Sequence, residues 1–172
     1  PVKCLESMGN TLWVGTERGL VELTPNTSKR FTIFDGLPAN RINALHQFGD
    51  EGLWVATNNG LAEIKKGKVE LLFVDSRSNS NQIETLFQDR EGNLWLGTYN
   101  GIYKFNSVGF RHFGFKDGLS ATFIYGLSRD NKQNLWIGTR NSGVYRYNGT
   151  SFTAFTSAHG LAGNRIGPIT SK

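Results

Sequence analysis

Three histidines, one cysteine and a scatter of acids are the side chains of this sequence with the means for covalent or acid–base chemistry. Nucleophilic catalysis needs a nucleophile, a base and an orienting group within hydrogen-bond reach of one another. His46, His112 and His159 occupy three different contexts within a repeating unit, a first strand, a fourth strand and a linker, so they are not expected to converge. The same scatter argues against a histidine metal site. Cys4 stands alone, which excludes an internal disulfide and a paired-cysteine metal knuckle. The turn Asp89-Arg90-Glu91-Gly92-Asn93 hints at calcium, but it carries too few carboxylates at EF-hand spacing. No catalytic residue, no metal ligand and no cofactor is therefore expected. A histidine and glutamate pair on one face, as a lyase would need, is conceivable with His159 near Glu17 across a closed ring.

Recognition without catalysis asks less of the chain. Glu17-Arg18, Asn58-Asn59, Tyr99-Asn100 and Arg140-Asn141 are four short polar loops whose surroundings are nearly constant while their own residues vary. Asn and Arg hydrogen-bond hydroxyls and carboxylates, and a tyrosine stacks on a ring face. These eight residues are the candidate ligand-binding set.

The loops are held in a strict repeat. Trp13, Trp54, Trp95 and Trp136 are spaced by 41 residues each time, and the text around them reads LWVGTERGL, LWVATNNGL, LWLGTYNGI and LWIGTRNSGV. A fixed period of this length, with four short strand-like segments per unit and no 3.6-residue periodicity, is the signature of a propeller blade rather than a helical solenoid. In the second unit the strands are expected at 42–48, 53–57, 61–65 and 69–74. The tryptophan fills the wedge between neighbouring sheets, and the small residue two places on (Gly15, Ala56, Gly97, Gly138) lets the adjacent blade approach. Between units the chain crosses through Phe34-Asp35-Gly36-Leu37, Val74-Asp75-Ser76-Arg77, Lys116-Asp117-Gly118-Leu119 and Ala158-His159-Gly160-Leu161, where Asp-Gly favours a tight turn.

The fold expected is all-β: a β-propeller of four blades of four antiparallel strands, with blades at about 1–40, 41–81, 82–122 and 123–163 and an overhanging strand at 164–172. Aligned on the tryptophans, Pro1 corresponds to Ile42, so the chain starts inside one first strand and ends inside another. The expectation is a segment of a longer ring, or two copies pairing into an eight-bladed one.

Composition agrees. With 12% aromatic residues, 21 glycines and one methionine, the chain suits pleated surfaces and tight turns. Its net charge of +5 is scattered, the densest run being Lys65, Lys66 and Lys68, so a nucleic-acid surface is not expected. No stretch approaches the ~20 apolar residues that span a bilayer, and no leader opens the chain, so membrane attachment is expected only through flanking segments.

The frame resembles the two-component regulator propeller repeat: an acidic turn, then Gly, Asn, Leu, Trp, aliphatic, Gly, Thr, two polar residues, Gly and Leu. Residues 89–102, DREGNLWLGTYNGI, follow it almost throughout, and Asp35-Gly36-Leu37-Pro38-Ala39-Asn40-Arg41-Ile42 resembles the linker of that family. Ala56, the inserted Ser142 and the Asp75-Ser76-Arg77 linker depart from it. The resemblance implies a periplasmic, extracytoplasmic sensing module without catalysis of its own, in a bacterial receptor whose kinase or cyclase output lies elsewhere, with a small molecule or oligosaccharide as ligand and self-association as part of signalling. Two other readings stand beside it: a protein-interaction scaffold, and an enzyme similar to the streptogramin lyases, which share the Gly-Asn-Leu-Trp rhythm.

Overall fold

Strand character with a turn at every few residues resolves, in the computed structural model, into four antiparallel sheets; residues 1–50, 52–75 and 81–169 are described. Each sheet is a four-stranded meander in chain order. The first holds β1 (Val2–Met8), β2 (Thr11–Thr16), β3 (Gly19–Leu23) and β4 (Ser28–Phe31). The second holds β5 (Ile42–Phe48), β6 (Gly52–Thr57), β7 (Gly60–Lys65) and β8 (Lys68–Phe73). The third holds β9 (Ile83–Gln88), β10 (Leu94–Thr98), β11 (Gly101–Asn106) and β12 (Gly109–Phe113), and the fourth β13 (Ile124–Arg129), β14 (Leu135–Thr139), β15 (Val144–Tyr147) and β16 (Phe152–Phe155). These are the four propeller blades expected. The chain divides into two compact units, Pro1–Ile83 and Glu84–Lys172.

The tryptophans sit in the second strand of each blade. Trp13, Trp54 and Trp95 are buried and Trp136 is half-buried. Their partners come largely from the fourth strand, a feature the repeat frame did not include: Trp13 lies 5.7 Å from Phe31, Trp95 5.9 Å from Phe113 and Trp136 5.6 Å from Phe155, centroid to centroid. Trp54 stacks on Phe48 at 4.3 Å and on His46 at 6.1 Å. Aromatic pairs at such separations add to plain burial. His46 is thus part of a blade's packing.

Blade-to-blade approach depends on the small residue after the tryptophan. A Cβ on Gly15 would lie 2.8 Å from Ile42 Cγ2, one on Gly97 2.8 Å from Ile124 Cγ2, and one on Gly138 3.0 Å from Ile166 Cγ2. Ile42, Ile124 and Ile166 therefore seat directly on the backbone of the preceding blade. Around these contacts lie two separate cores, one of Leu20, Phe31, Ile42, Leu53 and Val55 with their neighbours, the other of Ile102, Phe113, Ile124, Leu135 and Ile137 with theirs.

The linkers are built as short 3-10 turns at Ile33–Asp35, Phe115–Asp117 and Ser157–His159. Asp35 Oδ2 accepts the Thr32 N–H at 2.9 Å, and Asp117 Oδ2 accepts the Gly114 N–H at 3.0 Å. In the last linker His159 replaces the aspartate, and its Nδ1 accepts the Thr156 N–H at 3.2 Å. The asparagine further on closes the turn from the other side, Asn40 Oδ1 accepting from Ile33 N–H at 3.0 Å and Asn164 Oδ1 from Ser157 N–H at 2.7 Å.

Two expectations need correction. Val2, not Pro1, is the equivalent of Ile42, because Val2 opposes Thr16 as Ile42 opposes Thr57. The cause is a first turn one residue shorter in the first blade, where Met8 faces Thr11, than in the second, where Phe48 faces Gly52. Residues 166–169 are not a strand: Ile166 donates its N–H to Thr139 O at 2.8 Å and the segment lies against Gly126 and Gly138 without a ladder of its own. The expected strand's last residues, 170–172, and Ser76-Arg77 of the second linker lie outside the described residues.

The close approach at Gly97 can be tested. Gly97→Ala, whose Cβ would also lie 2.5 Å from Thr85 Cγ2, is expected to cost about 1–3 kcal/mol of overpacking, read as a lowered urea midpoint. Gly163→Ala, with no described heavy atom within 4 Å, should stay within about 0.5 kcal/mol of wild type.

Candidate functional site

Each candidate loop is a hairpin connection between the second and third strands of a blade, and one side chain fixes it. The threonine ending the second strand donates its hydroxyl to the carbonyl of the glycine that opens the third, or in the fourth blade immediately precedes it: Thr16 to Gly19 at 2.7 Å, Thr57 to Gly60 at 2.9 Å, Thr98 to Gly101 at 2.9 Å and Thr139 to Gly143 at 2.8 Å. The same oxygen accepts a loop N–H, from Arg18, Asn59, Asn100 or Ser142. The inserted Ser142 thus keeps the pattern by shifting the donor one place along. The glycine is required on two counts. Its φ is positive at all four positions, and a Cβ on Gly19 or Gly60 would lie 2.5 Å from the carbonyl oxygen of Phe31 or Phe73.

A second device aims side chains at the loops. The first strands of blades one, two and four carry a one-residue bulge, at Lys3, Asn43 and Tyr125. Bulges re-aim the extra residue. Lys3 Nζ reaches Glu17 at 3.5 Å, and Asn43 Nδ2 donates to Asn58 Oδ1 at 2.9 Å as well as to Ile83 O at 2.9 Å. Neither bulge residue stood out in the sequence, since a bulge is a property of strand register.

Within each unit the linker ties neighbouring loops together. In the first unit Gly19 N–H donates to Asn40 O at 2.7 Å and Asn58 N–H to Arg41 O at 3.2 Å, which brings Glu17-Arg18 and Asn58-Asn59 alongside one linker. In the second unit a single residue does this: Phe123 donates its N–H to Tyr99 O at 3.0 Å and accepts the Arg140 N–H at 3.1 Å. Phe123 has φ +58°, a left-handed conformation that is unfavourable for a bulky residue and is held here by both backbone bonds. Its ring lies 3.8 Å from that of Tyr99, and the Arg140 guanidinium stands 5.0 Å from its centroid. Tyr99, Phe123 and Arg140 thus form an aromatic and cationic cluster at the loop end of the second unit, with Tyr99 and Phe123 half-buried and Arg140 exposed. His112 supports it from β12, its Nε2 lying 3.1 Å from Asn100 O. Phe123 was missed in the sequence, although the corresponding linker positions hold Arg41, Gln82 and Arg165; an aromatic among polar residues was the available signal.

The acidic turn at 89–93 is occupied from within. Asp89 Oδ1 accepts from Asn93 N–H at 2.8 Å, and its Oδ2 accepts the Trp95 indole N–H at 2.8 Å. Asp130 does the same for Asn134 and Trp136, at 2.9 Å each. Burial opposes ionisation of Asp89, but the donors from Trp95 and Asn93 and the Arg129 guanidinium 3.3 Å away outweigh it and hold its pKa below the usual carboxylate range. The Asn134 side chain, followed by the Trp136 indole and backbone N–H groups, lowers Asp130 to about 2. Cys4 moves the other way: burial, with Glu6 nearby, pushes its thiol up to about 11 against a backbone bond at Gly15, so it is protonated and a poor nucleophile at neutral pH. Among the described residues no cluster of three or more metal-ligating side chains occurs.

The two aspartates contribute to the acid sensitivity of the fold. Their folded pKa values lie below the unfolded value of about 3.9, so their contribution is present above about pH 4 and is lost as pH falls through the folded values. Melting temperatures between about pH 5 and pH 2 should therefore decline in wild type and decline less in the Asp89→Asn/Asp130→Asn variant; equal slopes would contradict this role.

Residues 77–100 and 118–141 match the family model described as two component regulator propeller. Among solved structures, the chain is similar to the extracellular domain of a hybrid two component system from B. thetaiotaomicron, with 26% identity, a TM-score of 0.81, and coverage of 98% of this chain and 24% of that one. The extracellular domain of a second such system from the same organism matches at 23% identity and a TM-score of 0.76, over 95% of this chain and 23% of that one. Virginiamycin B lyase from Staphylococcus aureus matches at 13% identity and a TM-score of 0.70, over 90% of this chain and 55% of that one, a likeness of fold alone. No curated protein matches in sequence. The chain spans about a quarter of the length of the two extracellular domains. It is a run of propeller blades, two stretches of which match the two-component regulator propeller repeat.

Proposed function

We propose that this chain is an extracytoplasmic, non-catalytic ligand-sensing segment of a two-component-type receptor, and that the clamped loops carry its recognition surface. The observation that supports the reading most is the Tyr99–Phe123–Arg140 cluster. Two aromatic faces beside a fork of N–H donors suit a small polar molecule with an apolar ring face, such as an oligosaccharide. The strained φ of Phe123 adds weight, because strain of this kind collects at functional sites. The likeness to extracellular domains of signalling systems points to the same use and to the same side of the membrane. Ligand binding would bias self-association of the receptor, and so its output.

The test is a thermal-shift screen of the chain against mono- to tetrasaccharides. A ligand present at about 100 times its Kd stabilises by ~2.7 kcal/mol, which for a chain of this size raises Tm by roughly 5–10 °C. Arg140→Ala and Tyr99→Ala should each abolish that shift, with the Tm of unliganded Arg140→Ala within about 0.5 kcal/mol of wild type in stability terms. A full shift in both variants would remove these loops from the site.

A further inference from the structure

At the opposite end of the third and fourth blades, away from the clamped loops, the sheets part to leave a cleft of about 240 Å³. The wall from the third blade is a row of three residues in direct cross-strand register, Trp95, Lys104 and Arg111. Lys104 and Arg111 are thus like charges facing each other across one ladder, an arrangement that destabilises a sheet unless something answers it. Their stems lie on the aromatic core, Lys104 Nζ 5.2 Å from the Trp95 centroid and the Arg111 guanidinium 4.5 Å from that of Phe113. From the fourth blade come Arg129, Gln133 and Tyr147. Among the described residues that line the cleft none is acidic. Of the described lining cations, Arg129 is the one with carboxylate partners, Asp89 and Glu91, at the cleft's edge. Gln133 has φ +67°, and its buried side-chain oxygen has no hydrogen-bond partner among the described residues.

Covering a tryptophan with snorkelling cations is an ordinary packing device, but the fold does not require it here. The residue paired with Trp13 is Glu22, itself opposite Lys29, and the residue paired with Trp54 is Glu63. The matching cleft beside Trp13 is lined by Glu22 and Asp50 together with Lys66. The positive row is therefore particular to the second unit.

We infer that this cleft is a binding site for a small organic anion, its acidic group seated between Lys104 and Arg111 and the ring that carries it set against the Tyr147 side. It is separate from the loop cluster. The answering charge relieves the like-charge pair, and a hydroxyl on a sugar-ring acid would donate to the buried Gln133 side-chain oxygen. The cleft holds several times the ~30 Å³ share of one water, enough for a single ring.

Nuclear magnetic resonance on the whole chain tests this through the indole resonance of Trp95, a residue of the cleft wall. Benzoate and glucuronate are titrated to millimolar concentrations as an aromatic and a sugar ring acid, with benzamide and glucose as their uncharged counterparts. The expected result is a saturable shift of the Trp95 indole resonance with at least one of the acids and none with either uncharged compound. Which acid binds identifies the ring. Lys104→Gln and Arg111→Gln should each weaken binding about tenfold or more, in line with loss of one charge-assisted hydrogen bond. No shift with either acid, an equal shift with an uncharged counterpart, or unchanged affinity in both folded variants would overturn the site. Because the charged and uncharged comparison uses wild-type protein, an unfolded variant does not remove the test.

Discussion

The hydroxyl of one threonine per blade makes the interaction on which the rest of the candidate surface depends. It sits at the end of the second strand, donates to a glycine carbonyl and accepts a loop N–H, and so closes the hairpin without using either loop side chain. Thr57, Thr98 and Thr139 are almost fully buried, and removing such a hydroxyl would strand two backbone groups at about 1–3 kcal/mol. Since the frame carries the geometry, the two residues at the tip are free to be Glu-Arg in one blade and Tyr-Asn in another. The residues that hold the fold and the candidate recognition residues thereby occupy different positions a few residues apart.

The linkers extend this division. An Asp or His side chain folds each described 3-10 turn, joined in the first and last by an Asn side chain, while the backbone that follows reaches the loops on either side. In the first unit two linker residues share that work and in the second Phe123 does all of it, which places an aromatic ring where the others have polar side chains. The two units differ at their other end as well. Acidic residues face the tryptophans of the first, and Lys104 and Arg146 face those of the second. One architecture thus presents two electrostatic surfaces.

The 41-residue period made the strands, the tryptophan wedge and the small residue beside it readable directly, because each is a local pattern repeated in every blade. The threonine was visible in the frame, but its double hydrogen bond was not. The phenylalanines of the fourth strand also recur, yet they follow the tryptophan at 18 or 19 residues, and that one-residue slip hides them from a fixed period. Lys3 and Asn43 were out of reach for a different reason: their importance comes from bulges, which follow from register rather than from residue type. Phe123 stood out as an aromatic among polar linker residues, but its left-handed backbone did not. The single-residue offset between Pro1 and Val2 arose in the same way, from a turn whose length the repeat did not reveal.

Hydrogen–deuterium exchange of the chain with and without a stabilising oligosaccharide reads the central claim most directly, since it reports where the backbone is protected. The account predicts slowed exchange confined to the segments around Tyr99-Asn100, Phe123 and Arg140-Asn141, with the strands unchanged. Protection located elsewhere, or none in these segments despite binding, would contradict it.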